Sequence, residues 1–160
     1  IEGVPAQPPT QALNDGVGVQ RHWLSITDGA PIPPQADGSL HLKQGELVVV
    51  RLTLDIQGEV DQLVVSDLLP AGLEIENPIL QTSSLAPSWL NTSEPQWLAH
   101  REIRDDRLLL FSKLMSGTVE YHYTARAITK GAYVIPAAEA EAMYDADIRG
   151  RTAASKLRVQ

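Results

Sequence analysis

The sequence predicts an all-β protein, an antiparallel β-sandwich of fibronectin/immunoglobulin-like architecture, on three observations. From Glu46 to Ile56, the residues Val48, Val50, Leu52, Leu54 and Ile56 alternate with Val49, Arg51, Thr53 and Asp55. From Thr118 to Thr129, Val119, Tyr121, Tyr123, Ala125 and Ala127 alternate with Glu120, His122, Thr124 and Arg126. A period of two sends one set to each face of a strand. The third observation is the punctuation: short strand-like runs broken by turn residues recur along the chain, with no long helical pattern and no internal repeat.

The elements follow in order. Residues 1–18 carry Gly3, Pro5, Pro8, Pro9, Gly16 and Gly18 and read as a linker or mobile leading segment, leaving 19–160 for the sandwich. Val19–Thr27 is strand-like, and Pro31, Pro33, Pro34 and Asp37-Gly38 then force a loop. After the Glu46–Ile56 strand, Gly58 opens a turn, Asp61–Leu69 forms the next strand, and Pro70-Ala71-Gly72 ends it. Residues 77–97 are irregular, with Ser88-Trp89-Leu90 compatible with one helical turn. Arg101–Asp105 and Arg107–Lys113 form a hairpin around Asp105-Asp106, and Thr118–Thr129 ends at the Lys130-Gly131 turn. Tyr133–Pro136, Ala138–Tyr144 and Lys156–Val159 complete eight or nine strands.

Composition narrows the function. The 160 residues include no cysteine, which removes disulfides, thiolate metal sites and cysteine nucleophiles. A net charge of −7 and a pI near 5.0 argue against a nucleic-acid binder. Apolar residues are interrupted too often for a membrane-spanning segment.

The catalytic inventory is thin. His22, His41, His100 and His122 show no metal-ligand spacing, and His122 lies on the polar face of its strand, so no metal or cofactor is expected. There is no Gly-x-Ser-x-Gly elbow. Gly16-Val17-Gly18 lacks the strand and helix that phosphate binding needs. Asp145-Ala146-Asp147 reads as a polar turn, because no distal Glu completes a calcium loop. Asn91-Thr92-Ser93 is a glycosylation sequon in form only. The run Arg101-Glu102-Ile103-Arg104-Asp105-Asp106-Arg107 reads either as a solvated hairpin with cross-strand ion pairs or as a charged interface. Arg149 joins the interface candidates.

Aromatic residues supply the remaining candidates. Trp23, Tyr121 and Tyr123 read as packing, whereas Trp89 and Trp97 lie in the irregular region, where an exposed ring serves a partner. In Met143-Tyr144, adjacent positions on a strand point to opposite faces, so at least one bulky side chain must face outward.

Four ordered segments carry a resemblance. They are Val65–Pro78 (Val-Ser-Asp-Leu-Leu-Pro-Ala-Gly-Leu-Glu-Ile-Glu-Asn-Pro), Arg101–Arg107, Tyr121–Ala127 (Tyr-His-Tyr-Thr-Ala-Arg-Ala), and Glu141–Tyr144 with Ile148–Arg151. Together they resemble the C-terminal macroglobulin-like domain of bacterial alpha-2-macroglobulins, over roughly residues 20–155. The resemblance implies a macroglobulin-like sandwich within a periplasmic parent anchored to the inner membrane by a lipid elsewhere in its chain. It implies a role in an endopeptidase inhibitor that traps target proteases, in many members through a Cys–Gln thioester in a separate helical domain. Met143 and Tyr144 map onto the expected contact with that thioester domain. The implied partners are the thioester and other macroglobulin domains, proteases through the parent, and further envelope proteins. The alternative from another class is a stand-alone sandwich that binds a peptide, glycan or envelope partner through Trp89 and Trp97. Nothing in the sequence supplies a convergent acid, base or nucleophile, so an enzyme is not expected.

Overall fold

The computed structural model describes residues 9–76, 87–91 and 93–160. Expectations placed on residues 1–8, 77–86 and Thr92 lie outside the described residues. Among the described residues there are thirteen strands: β1 (Leu13–Asp15), β2 (Val17–Ser25), β3 (Ser39–Leu42), β4 (Leu47–Val60), β5 (Leu63–Leu68), β6 (Leu73–Ile75), β7 (Leu98–Ile103), β8 (Arg107–Ser112), β9 (Met115–Ala127), β10 (Gly131–Ile135), β11 (Ala138–Ala142), β12 (Asp145–Arg151) and β13 (Ser155–Val159). They form a six-stranded sheet β1-β12-β11-β5-β8-β7, a four-stranded sheet β2-β4-β9-β6 and a three-stranded sheet β10-β13-β3. Every pairing is antiparallel except β13 with β3, which is parallel.

The alternation read from the sequence sets the core. Val48, Val50, Leu52, Leu54 and Ile56 of β4 are buried with Tyr121, Tyr123, Ala125 and Ala127 of β9. They meet Leu63 and Val65 of β5, Leu108 and Leu110 of β8, and Ala138, Ala140 and Ala142 of β11. Leu40, Leu42, Leu157 and Val159 from the three-stranded sheet join the same cluster. Val49 points the other way and is also fully buried, in a row with Leu24 and Thr124.

One polar cluster sits inside this core. Asp67 lies on the inward face of β5, in register after Leu63 and Val65, and is completely buried. One of its oxygens pairs with the Arg21 guanidinium from β2, and the other accepts the Tyr123 hydroxyl at 2.5 Å. Arg21 also donates to the Pro136 carbonyl at 2.5 Å and lies 5.6 Å from the centre of the Trp23 ring. Burial, then the Asp67 charge beside it, holds the Tyr123 hydroxyl well above its ordinary pKa. The cluster ties both sheets together with its donors matched.

Several local expectations are corrected. The segment read as a linker contains β1 and the start of β2, and Val17 is fully buried. A three-residue strand among glycines and prolines is too short to show a period. Gly58 does not open a turn: β4 continues to Val60 through a register shift between Ile56 and Glu59, and the turn falls at Asp61-Gln62. β7 runs from Leu98 to Ile103, so the strand end expected over Arg101–Asp105 stops two residues earlier, at Ile103. Asp145-Ala146-Asp147 is the first part of β12 rather than a turn. Ser88-Trp89-Leu90 forms a turn closed by the Leu90 N–H on the Pro87 carbonyl, 3.0 Å away. The expected Ala138–Tyr144 strand stops at Ala142.

Candidate functional site

That last correction builds the site. β11 alternates Ala138, Ala140 and Ala142 inward with Glu139 and Glu141 outward, so only small side chains enter the core here. Ala142 pairs with Asp145, which leaves Met143 and Tyr144 as the corner of the β11–β12 hairpin. Both side chains therefore face outward: Met143 is 54% exposed and Tyr144 is 81% exposed. An alternating strand would have buried one of them.

The corner is held in place from the side. The Met143 N–H donates to the Gln62 carbonyl at 3.0 Å, so the tip is fastened to the β4–β5 turn. Gln62 takes a left-handed backbone, φ 56°, which is rare for a residue with a side chain. Nothing in the residue type announces it. Beside the tip lies an open depression of about 390 Å³ lined by Asp61, Gln62, Ala99, Phe111, Lys113 and Met143. Leu114, next to Lys113 in the chain, is 62% exposed. Met143 thus lines the hollow together with one carboxylate and one ammonium, and Tyr144 and Leu114, each next to a lining residue in the chain, are exposed. The chemistry of this end is that of a contact surface.

The other candidates do not converge on it. Trp89 is half-buried, lies against Gly29 and donates to the Ile26 carbonyl at 3.1 Å. Trp97 is half-buried and meets Tyr121 edge to face at 6.4 Å. Arg101 turns toward the core edge, donating to the Tyr121 hydroxyl at 3.0 Å, with Glu94 at 3.3 Å. Burial raises the Tyr121 pKa, and the Arg101 hydrogen bond opposes that shift. Arg104 pairs with Glu102 at 2.7 Å and Arg107 with Asp106 at 3.0 Å. Asp106 is held below its usual range mainly by that arginine, while Asp105 is exposed at the hairpin end. The hairpin adjoins Leu69, beyond the far end of β5 from Met143. Arg149 on β12 is exposed, 3.7 Å from Asp15 and directly opposite Glu141.

Gly150 has a structural duty: a Cβ there would overlap the Val17 carbonyl, where β12 passes close over the start of β2. Among the described residues, no three His, Cys, Asp or Glu side chains are grouped to hold a metal. Two functional-looking residues escaped the sequence reading, Arg21 and Asp67. The signal was present, since both fall on the apolar side of an alternating strand.

Comparison with known proteins settles the relationship. The family model described as the bacterial alpha-2-macroglobulin MG10 domain matches residues 16–147. Alpha-2-macroglobulin of Xylella fastidiosa is 34% identical over 158 residues, covering 94% of this chain and 9% of the relative. The crystal structure of a tyrosine-to-glycine mutant of Salmonella alpha-2-macroglobulin superposes with a TM-score of 0.80 at 32% identity, over 99% of this chain and 10% of that one. Trypsin-activated alpha-2-macroglobulin of Escherichia coli gives 0.78 at 30% identity, over 94% of this chain and 11% of that one. The chain spans about a tenth of the length of these relatives. The match of sequence over most of the chain, with the same sandwich in three dimensions, means that the chain belongs to the MG10 domain family of bacterial alpha-2-macroglobulins.

Proposed function

We propose that this chain is a non-enzymatic interaction domain of a protease-trapping protein, and that its Met143–Tyr144 corner covers the thioester domain of the same parent. The observation that carries this reading is the exposure of that adjacent pair at a hairpin tip fastened by the Met143–Gln62 hydrogen bond. A flexible thioether adapts to an apolar partner surface, and a phenol adds a flat ring with one donor. A reactive acyl group lasts only where water and amines are kept away, which such a cover accomplishes. The chain has no cysteine, so the thioester would belong to another domain. Activation of the E. coli relative by trypsin is in keeping with a parent that answers protease cleavage. Under this reading the parent works in the periplasm, anchored to the inner membrane elsewhere in its chain.

The test replaces Met143 and Tyr144 with Ala in a full-length parent that carries the Cys–Gln pair and follows methylamine incorporation. The thioester should react several-fold faster before any protease is added. Unchanged protection overturns the covering role. Trp89 and Trp97, on which a stand-alone binding module would rely, are half-buried and each engaged within the domain, which favours the covering role.

A further inference from the structure

The outward face of the four-stranded sheet, away from the Met143 corner, carries a row of three basic side chains. Arg51 at the middle of β4 stands directly between His22 on β2 and His122 on β9. All three are half-buried. The next row along, Gln20, Thr53 and Glu120, is open to solvent or half-buried, whereas the row on the other side, Leu24, Val49 and Thr124, is buried, so the three basic side chains stand at the border between the covered and the open part of this face.

Arg51 differs from every other half-buried arginine among the described residues. Arg21, Arg101, Arg107 and Arg126 each pair with a carboxylate, and Arg151 donates to the Gln11 carbonyl. Among the described residues Arg51 has no ion pair, and its Nε is buried without a hydrogen-bond partner. His22 Nδ1, on the facing residue, is buried and unpartnered as well. Glu120, the nearest carboxylate in the register, sits opposite Thr53 and does not reach Arg51. Residues 77–86, which follow β6 in the chain, include no Asp or Glu.

A half-desolvated guanidinium flanked by two imidazoles is unfavourable until an oxyanion meets it. The surroundings of His122 agree: burial lowers its pKa from the ordinary 6.5, Glu120 opposes the shift, and the Arg51 charge adds to it. Arg51 is the fixed positive charge of this row, on a chain of net charge −7. A carboxylate fits it well, because the planar fork of Arg donates to both carboxylate oxygens while a flanking imidazole supplies a further N–H. The relatives are about ten times longer than this chain, so in such proteins a sandwich face has other domains to meet.

We propose that His22, Arg51 and His122 form a docking site for the carboxylate side chain of an acidic protein segment. This site is separate from the Met143 corner and does not depend on the covering role.

The experiment follows the imidazole NMR signals of His22 and His122 in the 160-residue chain while acetyl-Glu-Glu-Glu-amide is added at constant ionic strength. Acetyl-Gln-Gln-Gln-amide and inorganic phosphate serve as comparison probes. Both imidazoles should shift together and saturate with the glutamate peptide, and not with the glutamine peptide. Arg51→Met should weaken that binding about ten-fold or more, as expected when a charge-assisted bidentate contact is lost. It should also leave the unliganded chain at least as resistant to urea as the wild type, since an unpaired charge is removed. The proposal is overturned if the glutamate peptide gives no saturable shift, or if phosphate saturates the row and the peptide does not. It is equally overturned if Arg51→Met unfolds or clearly destabilises the free chain, which would make Arg51 an ordinary structural residue. His22→Gln offers a second variant and should weaken peptide binding without touching the guanidinium.

Discussion

Strand β11 joins two regions that invert the usual distribution of polar and apolar groups in opposite senses. At one end, Ala138 lies beside Asp67, where a carboxylate, a guanidinium and a phenol are sealed in the core with their donors matched. At the other end, five residues on, a methionine and a tyrosine stand in solvent. Buried charge and exposed apolar bulk are both costly in an isolated domain, so each demands an explanation of its own. The first is answered inside the fold, by the partners already present. The second has no answer inside the fold and points to a neighbour. The contrast teaches that oddity of residue placement alone does not mark a functional site. What separates the two regions is whether the odd residue is already satisfied.

Removing a partner at the sealed end should have the largest effect. Asp67→Ala strips the buried Arg21 of its counter-charge and the Tyr123 hydroxyl of its acceptor, and should cost about 3–5 kcal/mol in urea unfolding. Combining Arg21→Met with Asp67→Leu should recover most of that loss, because two apolar side chains remove the unpaired charge along with the pair. A single-variant loss below 1 kcal/mol would erase the contrast. Gly150→Ala tests the frame that supports the hairpin from the β12 side. Its Cβ meets the Val17 carbonyl, so β12 must shift, at a cost of about 1–3 kcal/mol typical of overpacking. Thermal unfolding of that variant measures it. The smallest effect is expected at the open end: Met143→Ala with Tyr144→Ala should change the stability of the isolated domain by no more than about 0.5 kcal/mol. A larger loss by urea titration would show that the tip is structural, and the two regions would then be alike.

The long strands were legible because their periods are long. Eleven residues of alternation at β4 and the matching run in β9 fixed both faces, including His122 on the polar side. Short elements were not legible: β1, β3 and β6 have three or four residues each, and their pairing is decided by distant partners such as Arg151 and Lys156. For the candidate site, the residues were found and their placement was not. Adjacent bulky residues implied that one faces outward, and the hairpin corner turned out both. Arg21 and Asp67 lay on readable inward positions, yet alternation within a strand says nothing about which residue of the opposite sheet will be met. The row His22–Arg51–His122 depends on register across three strands, which no single-strand pattern contains.

The order of strands in the small sheet has a consequence for biosynthesis. β13 lies between β10 and β3, parallel to a strand more than a hundred residues earlier. Until Ser155–Val159 has left the ribosome, β3 and β10 have no common neighbour to hydrogen-bond, and Leu40 and Leu42 lack the cover of Leu157 and Val159. β3 therefore stays without this partner while every strand from β4 to β12 is made, and closure of the small sheet waits on pairing between distant segments, which is slow.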